Sequence, residues 1–346
     1  MVERVSAAKR FPLEDGYRVP AEWAAHRRTW MCWPARAEAW SGPAGLLRAK
    51  EASAHVAHAI AAFEPVAMAV RPEDTAEARR FCGDATEIFE MPLDDSWARD
   101  TGPTFLAGPA PAGVAWQFNA WGGKYHPYDA DKNLASRILG VLHARIYAAP
   151  LVCEGGAVHV DGEGTLLTTE QCLLNRNRNP GLGREQVEES LKRYSGADCI
   201  LWLGSDFSDE ETDGHVDNIA CFAAPGRVII GVPASKSHPD CEAISAAKRR
   251  LAQARDARGR TLEIVEIAQP AKERVDWRGR LLPASYVNFY IVNGGVVMPA
   301  FDDPADLAAR AVLADCFPDR RIAQLDALDI VQGGGGIHCI TQQEPA

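Results

Sequence analysis

The sequence has no Cys-x-x-Cys pair and no His-Glu-x-x-His run, although nine cysteines are spread along it. Without closely spaced ligands, a zinc ribbon, a thioredoxin-type motif or a catalytic metal has little basis, and no cofactor is expected. The odd cysteine number and wide spacing argue against a full disulfide framework, so reduced thiols in a cytoplasmic protein are expected. No apolar stretch reaches the ~18 residues that a membrane span needs. Glu3, Arg4, Lys9, Arg10, Glu14 and Asp15 break up the N-terminal segment, where an export signal would require an apolar run. Positive charge is also scarce: 37 Lys and Arg stand against 47 Asp and Glu, a net charge of -10. Nucleic-acid binding, which needs clustered cations to displace counterions, is therefore not expected.

What is present is an ordinary globular composition, 47% hydrophobic and 24% charged, in a chain of 346 residues. Apolar and β-branched runs predict strands at Val66–Val70, Thr86–Met91, Val114–Phe118, Gly164–Thr168, Cys199–Leu203, Ile219–Ala223, Arg227–Gly231, Leu262–Ile267, Tyr286–Val292, Val296–Pro299 and Gly336–Thr341. Helical periodicity predicts helices at Leu46–Phe63, Thr75–Cys82, Asp131–Leu142, Arg184–Tyr194, Cys241–Arg255 and Pro304–Cys316, the last with Asp303 as cap. Strands outnumber helices about two to one, which fits a doubly wound sheet poorly. No linker divides the chain; the turn-rich Ala107–Gly113 is short. One α/β domain over 1–346, made of small β-rich modules with one helix each, is expected.

Four stretches can carry chemistry. The glycine run Gly333–Gly336 leads into Ile337-His338-Cys339, a thiol beside backbone that can approach a ligand closely. As a strand, Ile337–Thr341 would point His338 and Cys339 to opposite faces, which argues against His338 as the base for Cys339. In Asp213-Gly214-His215-Val216-Asp217-Asn218, an imidazole and a carboxylate fall two residues apart and would share a face of an extended chain. Trp97-Ala98-Arg99-Asp100 offers a flat ring and a carboxylate that suit a planar cation. Cys153-Glu154-Gly155-Gly156 sets one carboxylate against a glycine pair. Taken singly, each stretch also reads as structure: a buried cysteine, a capped turn with a core histidine, or a surface Arg–Asp pair. Together, a thiol, an imidazole and several carboxylates suit a guanidinium, whose N–H fork matches carboxylates while its carbon faces a nucleophile.

Several segments then resemble the agmatine deiminases. They are Val19–Trp23 with Thr29–Pro34, Trp97–Pro103, Glu154–Gly156, Asn175–Pro180, Thr212–Asn218, Pro283–Tyr290 and Gly333–Gln343. The blocks keep the family's order and cover nearly the whole chain. The resemblance implies the pentein fold, a five-bladed α/β propeller of ββαβ-type modules around a central site. It makes Cys339 the nucleophile, His215 the general acid and base, and Asp100 and Asp217 the guanidinium clamps. Glu154 would orient His215 or the substrate, Trp97 would line the pocket, and Glu211 would stand near the substrate's far end. Gly336 departs from the pattern, where a larger polar residue such as Asn is expected, and the chain is compact between Gly102 and Asn119. The implied reaction is hydrolysis of agmatine to N-carbamoylputrescine and ammonia through a covalent Cys thiouronium, in a homo-oligomer. Deimination of peptidyl-arginine or free arginine, amidino transfer to an amine, and silent guanidine binding are the alternatives.

Overall fold

The computed structural model describes residues 10–346; residues 1–9, which begin the charged N-terminal segment, lie outside it. The described residues form sixteen strands in five sheets. In chain order the strands are β1 His26–Cys32, β2 Val66–Val70, β3 Thr86–Glu90, β4 Thr104–Leu106, β5 Ala112–Gln117, β6 Arg145–Val152, β7 Val158–Val160 and β8 Thr165–Thr168. There follow β9 Cys199–Trp202, β10 Ala220–Ala224, β11 Arg227–Val232, β12 Glu263–Ala268, β13 Tyr290–Val292, β14 Gly295–Ala300, β15 Arg321–Asp326 and β16 Thr341–Pro345.

Four sheets repeat one pattern: β4-β5-β6, β7-β8-β9, β10-β11-β12 and β13-β14-β15. In each, the first two strands pair antiparallel and the third joins the second in parallel. A parallel join needs a crossover, and a helix supplies it: Leu134–Val141, Arg184–Ser195, Cys241–Gln253 and Asp306–Cys316 respectively. In the fifth sheet β16 pairs antiparallel with β1, which runs parallel to β2 across the helix Pro43–Ala61, with β3 added at the edge. The chain's last strand thus completes the module that its first strand begins. These five ββαβ units are the modules of the expected five-bladed architecture.

Burial explains which strands the sequence reveals. In β2, Val-Ala-Met-Ala-Val is buried at every position between two parallel neighbours, so its apolar run is uninterrupted. Strand β6 lies at a sheet edge and carries Arg145 and Pro150, with an alternating pattern that hides it. Strand β16 is polar yet buried, because Glu344 accepts from Trp30 Nε1 at 2.8 Å and Gln343 Oε1 from Arg99 at 2.8 Å.

Three expectations need correction. Residues 337–340 form a turn and the strand begins only at Thr341; the Thr341 hydroxyl reaches back to the carbonyls of Ile337 (3.1 Å) and His338 (3.0 Å). The apolar run from Tyr286 is a strand only from Tyr290. Asp303 and Pro304 lie in the turn before the helix Asp306–Cys316; Asp303 Oδ1 accepts from Ala305 N at 2.9 Å.

Candidate active site

Every connection between successive modules delivers a chemistry-bearing side chain to one interior region. The β3–β4 connection carries Trp97 and Asp100, the latter in the short helix Ala98–Thr101. The β6–β7 connection carries Glu154, ahead of the turn Gly155–Ala157. His215 and Asp217 lie on the β9–β10 connection, Asn288 on β12–β13, and His338 and Cys339 on β15–β16. Equivalent positions in a repeated module are brought together by the repeat itself, however far apart they lie in sequence.

Gly156 marks where three of these groups meet. A Cβ built there would lie 2.6 Å from His215 Nδ1, 2.9 Å from Asp217 Oδ2 and 3.0 Å from Asp100 Oδ1, so no side chain fits. His215 and Asp217 meet here through the 3-10 turn Val216–Asn218, not through a shared face of an extended strand as expected. Asp100 Oδ1 accepts from Gly156 N at 2.9 Å and Oδ2 from Trp121 Nε1 at 2.9 Å, which fixes the carboxylate plane. His215 lies between acids, with Nδ1 3.8 Å from Asp100 Oδ1 and Nε2 3.7 Å from Glu154 Oε2. Cys339 Sγ is 3.6 Å from Asp217 Oδ2 and 3.3 Å from Asn288 Nδ2. Both ring nitrogens of His215 and Oδ1 of Asp217 are buried without a hydrogen-bond partner. Buried polar atoms are normally satisfied, so three unpartnered atoms on two neighbouring side chains mark a place for a polar ligand.

The charges follow from this packing. Burial, then Asp217 and Asp100, push the Cys339 thiol well above its ordinary range. Burial alone would lower the His215 pKa, but the Asp100 carboxylate and then Cys172 and Glu154 lift it well above 6.5. Burial likewise opposes the Glu154 carboxylate, yet the Arg178 guanidinium, with Nε at 2.6 Å, and His215 pull it down to about 2. Asp100 is raised by burial and by its neighbours Asp217 and Glu154, against the pull of His215. The packing therefore favours the thiol form of Cys339 and the charged form of His215 among several carboxylates, a combination that suits a flat cation.

A family model for Porphyromonas-type peptidyl-arginine deiminases matches residues 18–345. The chain belongs to the Porphyromonas-type peptidyl-arginine deiminase family. Within it, the chain is 44% identical to the agmatine deiminase of Ectopseudomonas mendocina over 97% of each protein. It superimposes on a structure of the Enterococcus faecalis agmatine deiminase with a TM-score of 0.93, at 38% identity and covering 98% of each chain. An amidinotransferase from Microseira wollei, 12% identical over 94% of this chain and 96% of its own, shares the fold with a TM-score of 0.52.

In this family member, sequence reasoning missed residues that hold the site in place. His338 donates through both faces of its ring: Nδ1 lies 2.8 Å from Asp217 Oδ2 and Nε2 2.8 Å from Glu22 Oε2. It and Cys339 therefore meet the same carboxylate, which overturns the expectation of opposite faces; the turn at 337–340 is the reason. Asn288 Oδ1 accepts from His338 N at 3.0 Å, and a Cβ at Gly336 would come within 2.4 Å of that same oxygen, so the glycine departure makes room for Asn288. Arg178, buried between Glu154 and Asp213, anchors the two acidic connections to each other. The motif blocks contain Glu22, Asn288 and Arg178, but nothing local tells a ligand-facing polar residue from a supporting one.

Two groups of buried side chains have metal-ligating atoms close together: Glu22, His159 and His338, and Glu154, Cys172 and His215. Each already faces a guanidinium, Arg99 at 3.6 Å from Glu22 and Arg178 at 2.6 Å from Glu154, which opposes a divalent ion.

Trp97 is buried against the glycine run, and Glu211 lines the cavity. Trp97 stacks on Trp40 (5.5 Å between centroids, 15° between planes) and lies against the glycine run, where a Cβ at Gly335 would meet its ring at 2.5 Å and Cys339 Cβ at 3.1 Å. One residue earlier, a Cβ at Gly334 would meet Glu211 Cγ at 2.7 Å. Glu211 is thus not beside the buried carboxylates but one peptide away from the thiol along the glycine backbone. A cavity of about 450 Å³ extends from His215 past Glu211 and Gly334 to the segment 272–285.

Proposed function

We propose that this chain hydrolyses agmatine to N-carbamoylputrescine and ammonia, with Cys339 as nucleophile. The meeting of His215 Nδ1, Asp217 Oδ2 and Asp100 Oδ1 around Gly156, with Cys339 Sγ 3.6 Å from Asp217 Oδ2, carries this reading. Asp100 and Asp217 grip the guanidinium edges, and the cation's charge favours loss of the Cys339 thiol proton to solvent, leaving thiolate. Cys339 Sγ then attacks the guanidinium carbon and forms a C–S bond. The C–N bond to one terminal nitrogen breaks, and protonated His215 supplies the proton with which ammonia leaves. Neutral His215 next takes a proton from water, whose oxygen attacks the same carbon. The C–S bond breaks to release the thiolate, and the added oxygen gives up its remaining proton to solvent as the carbamoyl C=O forms.

The cavity's outward course past Glu211 suits a chain ending in an ammonium, and its volume suits a small ligand. The nine cysteines are all free, which accords with a reducing cytoplasm. Peptidyl-arginine is the second reading, favoured by the family's description. Incubation of the purified protein with agmatine, free arginine and a blocked arginyl peptide, with ammonia measured, tests the proposal. Release from agmatine with little from the others is expected; release from the peptide or arginine in preference to agmatine would overturn it.

A further inference from the structure

We propose that Arg280 is an internal competitor for the substrate's ammonium end, occupying the Glu211 carboxylate until the substrate displaces it. The proposal rests on the agmatine reading and names the group that sets selectivity at the far end of the same site.

Glu211 lines the cavity, yet neither of its oxygens is free: Oε2 pairs with the Arg280 guanidinium and Oε1 accepts from the Tyr125 hydroxyl. Arg280 belongs to a hairpin closed by the Val275–Leu281 bridge. There Asp276 Oδ1 accepts from the backbone N–H of Arg278 and Arg280, both at 2.8 Å, while Oδ2 takes Arg280 Nε at 2.8 Å. Gly279, at φ +82°, supplies the left-handed residue that the turn requires. Arg280 therefore has two carboxylates, one inside its own hairpin and one across the cavity. When a substrate ammonium reaches Glu211, Arg280 keeps Asp276 and gives up only the second.

The chain contains its own control. Asp256-Ala257-Arg258-Gly259-Arg260 repeats the Asp-x-Arg-Gly-Arg pattern of Asp276-Trp277-Arg278-Gly279-Arg280. Asp256 Oδ1 takes the N–H of Arg258 and Arg260, both at 2.9 Å, and Arg260 Nε meets Asp256 Oδ2. Arg260 reaches out to Glu163, a carboxylate that does not line the cavity. The same turn thus fixes one arginine at a peripheral ion pair and presents the other to the cavity mouth.

Steady-state kinetics of the purified full chain on agmatine and on butylguanidine, which lacks the terminal amine, test this. In Arg280→Gln the KM for agmatine should fall about three- to tenfold, the range of a partly exposed ion pair, with kcat nearly unchanged. Butylguanidine constants should not move. Arg260→Gln should leave agmatine kinetics unaltered. An unchanged agmatine KM in Arg280→Gln would overturn the proposal. So would a raised one, since Arg280 would then be orienting Glu211, not competing for it. An equal shift with butylguanidine or in Arg260→Gln would reduce the effect to overall charge or hairpin damage and overturn it as well. If wild type releases no ammonia from agmatine, the substrate reading fails instead.

Discussion

The inner end of the site and its mouth hold their carboxylates in opposite ways. At the inner end, Asp100 and Asp217 are buried and fixed by donors that belong to the fold: a backbone N–H, an indole and an imidazole. Asp217 Oδ1 is left without a partner, as are both ring nitrogens of the neighbouring His215. At the mouth, Glu211 is spent on the Arg280 and Tyr125 side chains, and Arg280 is about a third exposed. A carboxylate held by the core costs little to organise when charge arrives, which suits transition-state stabilisation. One held by a rim cation must exchange partners, which suits discrimination among ligands. The comparison teaches that acidic residues near one ligand need not do similar work.

Substitutions can break that contrast in a definite order. Cys339→Ala should have the largest effect, lowering turnover by at least ~10³-fold while agmatine binding persists in calorimetry. Retained turnover would remove the thiol from the inner end altogether. Asp217→Asn should follow, with kcat/KM down about 10²- to 10³-fold, because it loses a charge-assisted contact and leaves protonated His338 facing an amide. Effects on KM alone would move Asp217 into the class of the mouth.

Glu154→Gln tests the support beneath the inner end. It leaves Arg178 buried without its nearer carboxylate, and a loss of about 3 kcal/mol in urea unfolding is expected. Since folding holds the Glu154 pKa down to about 2, its stabilisation is complete above the ordinary carboxylate range and fades as pH falls from about 4 toward 2. The variant should show a flatter acid limb; an unchanged limb would count against this pairing.

The pH profile sharpens the contrast further. Burial, then Asp217 and Asp100, raise the thiol, so kcat/KM should climb with pH until His215 loses its proton. Asp217→Asn removes one raising charge and should move the rising limb to lower pH, whereas Arg280→Gln at the mouth should leave it in place. A limb that stays put in Asp217→Asn would separate that carboxylate from the thiol. The smallest effect belongs to Arg260→Gln, whose kinetics should match wild type.

Legibility in the sequence followed burial. The interior strands β2, β11 and β14 are apolar over most of their length and could be read directly. The edge strand β6 and the polar β16 could not, since only their tertiary neighbours make such residues suitable strand. Cys339, His215, Asp100 and Asp217 stood out because cysteine, histidine and aspartate close to glycine are chemically conspicuous. His338 was visible but misjudged, because a period of two was assumed where the chain turns. Arg280 gave no signal at all: an arginine in a short turn looks the same whether its partner is peripheral or lines the cavity, as Arg260 demonstrates.

By itself the sequence determined a mixed α/β protein with a surplus of strands and a net charge of -10, carrying in order the motif blocks of its family. Side-chain type and local periodicity are properties of neighbouring residues, so they survive without a fold. Only the tertiary structure decided that five inter-module connections point inward together, that His338 and Cys339 share Asp217, and that Glu211 already has a cation. Those facts depend on distances between residues remote in sequence, and distances are fixed only when β16 returns to pair with β1.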